Sequence, residues 1–238
     1  DLTKDGFTQF RHKLDTRELR ICMRVLARFH ANMFRLQNGN DDFFRHFFHE
    51  LSQNKMMRLN QRKERVRYIK FVYLVVCSRF VKSGIMTALD DGLSEKINRK
   101  LEKVERLETE SASTIIHGRF TRSKVFTISY NDKSCYQQLI DFQSITYNSP
   151  AIDFGRIFLT NLPDEYNQSS LKKLFWFMLA SYLEKLMQEY SEVPSLLVEK
   201  DIIHNMILSY IYLNAQEIEA IENHKTIFYM LNHVSSFD

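Results

Sequence analysis

The stretch that decides the fold runs from Val125 to Phe154. It reads Val125-Phe126-Thr127-Ile128-Ser129-Tyr130, then Asn131-Asp132-Lys133-Ser134, then Cys135 to Ile140, then Asp141-Phe142-Gln143 and, a few residues on, Ser149-Pro150-Ala151-Ile152-Asp153-Phe154. Two runs with strand character flank four polar turn formers, so the spacing predicts a β-hairpin. Thr114-Ile115-Ile116 is a further strand signal upstream. Asp141 follows the second hairpin strand, and helical periodicity returns after Pro150.

On both sides of this stretch the pattern is helical. Downstream, Leu171, Leu174, Phe175, Met178, Tyr182, Leu186 and Tyr190 hold a 3.6-residue period, and a last helix is predicted over Ile202 to Leu213, after Pro194. Upstream, Asp15 and Glu18 have the spacing of a capping box, and Leu19, Cys22, Met23, Leu26, Phe29 and Met33 recur at helical spacing, which predicts a helix from Thr16 to about Leu36. Turn chemistry in Gln37 to Asp42 ends it, and Phe43 to Leu51 reads as a short helix. His46 and His49 in that helix lack a third ligand at metal spacing, so packing is the expected role of the helix. Arg58 to Arg67 reads as a solvated basic face leading into the apolar Tyr68 to Val81 segment. Leu93, Ile97, Leu101, Val104 and Leu107 make a narrow amphipathic stripe. The fold class expected is α+β, mostly α-helical around a small β-hairpin. No repeat and no long linker divides the chain.

Composition agrees. The 238 residues are 44% hydrophobic, enough for one sizeable core, and 6 Gly and 3 Pro against 26% charged residues exclude collagenous or low-complexity chains and disfavour a β-sandwich. A formal charge of +4 without a dominant cluster gives no reason to expect a nucleic-acid partner. Cys22, Cys77 and Cys135 are three widely spaced thiols, which fits a reducing, cytoplasmic setting. The longest apolar run, Phe71 to Cys77, is too short for a bilayer, so no membrane partner is expected. The opening Asp1-Leu2-Thr3-Lys4 has neither an initiating Met nor a signal-peptide core, and the chain is expected to begin partway into a longer polypeptide.

Four landmarks, in order, carry a resemblance. They are Leu26-Ala27-Arg28-Phe29-His30-Ala31, His117-Gly118, Asp141-Phe142-Gln143 and Ser149-Pro150-Ala151-Ile152-Asp153-Phe154. Together they resemble the choline/ecdysteroid kinase-like (CHK kinase-like) family of small-molecule kinases, and the resemblance covers most of the chain from Leu14 onward. It implies a protein-kinase-like C-lobe over residues 1–238, with the nucleotide-binding N-lobe absent from this chain, and it makes Asp141 the family's metal-binding Asp. The order of the landmarks suits phosphoryl transfer, which needs a carboxylate for the acceptor hydroxyl, an amide or carboxylate for one metal and an Asp to hold Mg²⁺ against the phosphates. Asp153, near the start of the next helix, is expected to cap free backbone N–H groups. His30 has an ordinary reading as a hydrogen-bonded core histidine.

The chain departs from the family pattern at the catalytic loop, His117-Gly118-Arg119-Phe120-Thr121-Arg122-Ser123-Lys124. Where the family has a catalytic Asp this chain has Arg119, Thr121 replaces the usual Trp, and Ser123 or Lys124 stands where a metal-binding Asn is expected. A guanidinium cannot act as a base at neutral pH, and Arg122 and Lys124 would repel a divalent cation. No glycine-rich phosphate loop is present. The first expectation is therefore a degenerate chain, a pseudokinase or a truncated remnant, with no catalytic residue, no nucleotide cofactor and only Asp141 of the metal set. The second is a working kinase of a small-molecule hydroxyl, such as a steroid or choline-like alcohol, with the N-lobe outside this chain; Mg²⁺ and ATP enter only then. The third is a helical interaction module acting through the Leu93 to Leu107 stripe or the Arg58 to Arg67 face. A small hydroxyl-bearing ligand and self-association through the face left by the missing lobe are the partners expected.

Overall fold

The computed structural model of the chain describes residues 2–10, 12–39, 42, 45–47, 49–51, 112–131, 134–162, 168–206 and 209. The readings over Arg58 to Arg67, Tyr68 to Val81 and Leu93 to Leu107 lie outside these residues. What is described is mostly helical with a small amount of sheet.

Helix α1, Thr16–Asn38, begins with the predicted box: Asp15 Oδ1 accepts from the Glu18 N–H at 2.7 Å, and Glu18 Oε2 accepts from the Asp15 N–H at 3.0 Å. Two of the free amides of the first turn are thereby matched. It ends at Gly39, whose N–H closes on the carbonyls of Arg35 and Leu36. A long helix, α3, Gln168–Glu189, packs along it. Two ion pairs cross between them, Arg24 to Glu184 at 3.5 Å and Arg28 to Glu189 at 3.4 Å. Exposed pairs of this kind contribute at most about 1 kcal/mol each. The shared core does more, because burying each of Leu19, Met23, Leu26, Phe175, Met178 and Leu186 contributes roughly 1.5–3 kcal/mol. Cys22 lies in that core, and burial, with the nearby Glu18 charge second, pushes its thiol well above the ordinary range. It is held as a protonated, inert side chain.

The hairpin forms in the predicted place. Strands β3, Val125–Asn131, and β4, Ser134–Leu139, pair antiparallel with Val125 opposite Leu139 and Thr127 opposite Gln137, and a register shift falls between Ser129 and Asn131. Two features escaped sequence reading. Strand β1, Thr8–Gln9, adds an edge to β3, and Thr114–Ile116, β2, belongs to a separate two-stranded ladder with β5, Thr146–Asn148. Strands of two or three residues are too short to show an alternation.

Helix α2, Ala151–Leu159, follows Pro150 and is buried on every side. Gly155 admits the neighbouring segment, since a Cβ there would lie 2.2 Å from Ser209 Oγ and 2.7 Å from Met206 Cγ. Helix α4, Ser195–Asn205, starts straight after Pro194, seven residues before the predicted Ile202, and the predicted end at Leu213 lies outside the described residues. Its first turn carries Leu196 and Leu197 in exposed positions, so no apolar face announces it, and Val198 and Ile202 make the buried side. Among the described residues no helix is long and apolar enough to cross a membrane.

Candidate functional site

Five segments meet where β2 ends: α1, the loop from His117 to Lys124, the end of β4 with Asp141, the start of α2, and the middle of α3. Their centre is the Asp153 carboxylate, which is fully buried. Its Oδ2 accepts from the His117 N–H at 2.6 Å and its Oδ1 from the Gly118 N–H at 2.9 Å. The His30 ring reaches the same carboxylate, Nε2 to Oδ2 at 3.4 Å, and its Nδ1 lies 2.7 Å from the Tyr182 hydroxyl. A carboxylate only accepts, so Nε2 supplies the hydrogen toward Asp153, and in the neutral ring Nδ1 is then the acceptor for the Tyr182 hydroxyl. The Tyr182 phenol is held protonated: burial first, then the charges of Asp153 and Asp201, push its pKa well up.

Asp153 is therefore a clamp on the loop and not the cap of its own helix that its position predicted. That capping falls to Ser149, whose Oγ accepts from the Ala151 N–H at 3.1 Å and donates to Asp201 Oδ2 at 2.5 Å. A Ser at this place satisfies the helix start locally, which leaves the Asp153 carboxylate to reach across to the loop. His30 is the hydrogen-bonded core histidine expected of it. His46 is exposed and pairs with Glu50 at 3.4 Å, one helical turn on.

The loop is fixed by its own residues as well. His117 Nε2 donates to the Ile140 carbonyl at 2.9 Å, and Nδ1 accepts from the Arg119 N–H at 3.3 Å. Gly118 has φ +76, and a Cβ there would collide with the Ser144 carbonyl. Phe120 is fully buried, whereas Arg119 is exposed. Thr121 and Ser123 share a hydrogen bond between hydroxyls, 3.0 Å apart. Of the two residues that stand where a metal-binding Asn is expected, Lys124 is the one that meets Asp141, with Nζ 2.5 Å from Oδ2. Ser123 faces Thr121 instead.

Asp141 adopts φ 65 and ψ 66, the only positive φ outside glycine among the described residues. A left-handed aspartate costs about 1–2 kcal/mol and persists where its surroundings over-determine it. Those surroundings are the turn Phe142–Ser144, the Lys124 ammonium and an aromatic group in which Phe142 stands 5.4 Å from the His117 ring and 5.8 Å from Phe29. The Lys124 hydrogen bond, first among the causes, holds the Asp141 carboxyl below the usual carboxylate range. Among the described residues no group of three His, Cys, Asp or Glu side chains is placed to hold a metal ion.

The sequence brought His30, His117, Asp141 and Asp153 into view but not Tyr182 as a member of this network. A tyrosine and a histidine on two apolar helix faces were the only available signal, and the chain separation of 152 residues hid that they meet.

The landmarks in this site agree with the comparison to known families. Residues 1–194 match the Ecdysteroid kinase-like family (EcKL), and the chain belongs to that family. No curated protein and no solved structure matches it.

Proposed function

We propose that this chain is a catalytically degenerate member of the ecdysteroid kinase-like family, a protein-kinase-like C-lobe in which the phosphoryl-transfer site has been converted into a metal-free one. The observation that carries it is the Lys124 ammonium seated on Asp141. A Mg²⁺ ion takes six oxygen ligands in near-octahedral geometry and needs carboxylates free to meet it. Here the one carboxylate at the strand end shares its Oδ2 with an ammonium, and Ser123 is turned toward Thr121. The donor set does not fit a divalent ion.

The loop supports the same conclusion. An acceptor hydroxyl needs a base at the third position of the His117-Gly118 loop, and a guanidinium with a pKa above about 12 cannot serve. Arg119 is held there through its backbone N–H on His117 Nδ1. What this chain keeps in place is a frame, the buried Asp153 clamp and the aromatic packing of Phe142, which would hold a binding surface for a small hydroxyl-bearing molecule in shape without turning it over.

The test is an ATP-consumption assay with steroid and choline-like alcohols, on the full-length polypeptide that carries this chain and on its Asp141→Ala variant. No consumption above buffer is expected from either. Consumption by the unmodified chain that disappears in Asp141→Ala would establish the working-kinase alternative in its place.

A further inference from the structure

We propose that Lys124 is a tethered cation standing in for a divalent metal, and that it anchors a site for phosphate-bearing ligands that works without metal. This rests on the degenerate reading of the site and goes beyond it: a site that has lost a metal could bind nothing, whereas this one has kept cationic charge at the same carboxylate.

The position of Lys124 is built into the backbone. The Ile140 N–H donates to the Lys124 carbonyl at 3.1 Å, and Val125 and Leu139 face each other one step along the hairpin. Lys124 and Asp141 therefore stand across the same strand end, and the ammonium reaches the carboxylate without a search. An ammonium has three N–H donors. Asp141 takes one, and two are left for a ligand. The side chain is 19% exposed and that of Asp141 26%, so the pair is partly accessible to solvent.

Charge on the loop points the same way. Arg119, Arg122 and Lys124 fall within six residues that contain no acid. The other nearby carboxylate, Asp153, is buried behind the loop and committed to His117, Gly118 and His30. Thr121 and Ser123 share one hydrogen bond between two hydroxyls, which leaves one hydroxyl hydrogen to donate outward. Charge-assisted donors of this kind suit phosphate oxygens, and guanidinium groups suit them especially well.

The probe is inorganic tripolyphosphate, titrated calorimetrically into the full chain in EDTA at low salt, with ATP as a second arm. Tripolyphosphate binding that Mg²⁺ does not tighten is expected. Lys124→Asn should weaken it at least tenfold, whereas Asp141→Asn, which releases the ammonium from its carboxylate, should tighten it. Lys200→Gln, an exposed position on α4, should leave it unchanged. Equal affinity for ATP would identify the phosphates as the recognised group, and tighter ATP binding would add a base contact to the same site. The proposal is overturned by no binding in EDTA, by binding that requires Mg²⁺, or by an equal loss in Lys200→Gln, which would mark a net-charge effect. None of these outcomes restores turnover, so the ATP-consumption assay judges the degenerate site separately.

Discussion

Asp153→Ala is expected to lower the melting temperature by roughly 10 °C. The carboxylate is fully buried and accepts from two backbone N–H groups at 2.6 and 2.9 Å, with the His30 ring at 3.4 Å. Removing one partner of such a buried set leaves the others desolvated and unmatched, at a cost of about 3–5 kcal/mol. In a chain of this size each kcal/mol moves the midpoint by about 2–4 °C. Asp153→Asn should fall between the two, because the amide keeps one acceptor but turns an NH₂ toward a donor. Thermal melts followed by circular dichroism check this. A fall of less than about 2 °C would mean that water or a rearranged loop can satisfy His117 and Gly118, and the clamp would lose its importance.

Gly118→Ala is the second large effect, and it acts on the same loop from the opposite side. A Cβ at Gly118 would stand 2.1 Å from the Ser144 carbonyl oxygen and 3.1 Å from its carbon, at a φ of +76. The left-handed conformation alone costs a side chain about 1–2 kcal/mol. A backbone oxygen cannot swing aside as a side-chain tip can, so the total is expected to reach about 3 kcal/mol or more. Ser144 belongs to the turn that carries Asp141 and Phe142, and that turn must shift to make room. Gly39→Ala is the control. Gly39 has φ −69 and its nearest obstacle lies 3.3 Å away, so the change should be close to neutral. Urea midpoints of the two variants should differ clearly, and equal midpoints would refute the close approach at Ser144.

The hairpin and the two long helices were legible because each has a signal longer than its own noise. The box at Asp15 and Glu18, the apolar recurrence from Leu19 to Met33, and the turn formers after Tyr130 all fix local geometry by local chemistry. What was hidden depended on partners far along the chain. Thr8–Gln9 and Thr146–Asn148 become strands only because β3 and β2 offer ladders to them. The start of α4 was displaced by seven residues because Leu196 and Leu197 are apolar yet exposed, which erases the expected face. Asp153 shows the same limit at the site. Its place in the helix made capping the natural expectation, and only the folded chain brings the 117–118 amides to it, 35 and 36 residues back.

The choice between Ser123 and Lys124 as the residue opposite Asp141 could not be made from spacing either. Both fall near the expected metal-ligand position, and the tight turn Arg122–Lys124 decides which side chain points to the strand end. With Lys124 there, the proposed function becomes one physical statement: no base at Arg119, and a cation at Asp141 that belongs to the polypeptide.

The most direct measurement of that statement is Mn²⁺ binding followed by electron paramagnetic resonance of the free aqueous ion, on the unmodified chain and on the double variant Arg119→Asp, Lys124→Asn. With the ammonium in place the unmodified chain should leave the free-ion signal unchanged. The double variant removes the ammonium from Asp141, puts an amide in its place and adds a carboxylate to the same loop, and should diminish the signal. Stoichiometric loss of free Mn²⁺ with the unmodified chain, reversed by Asp141→Ala, would contradict a lysine-occupied site.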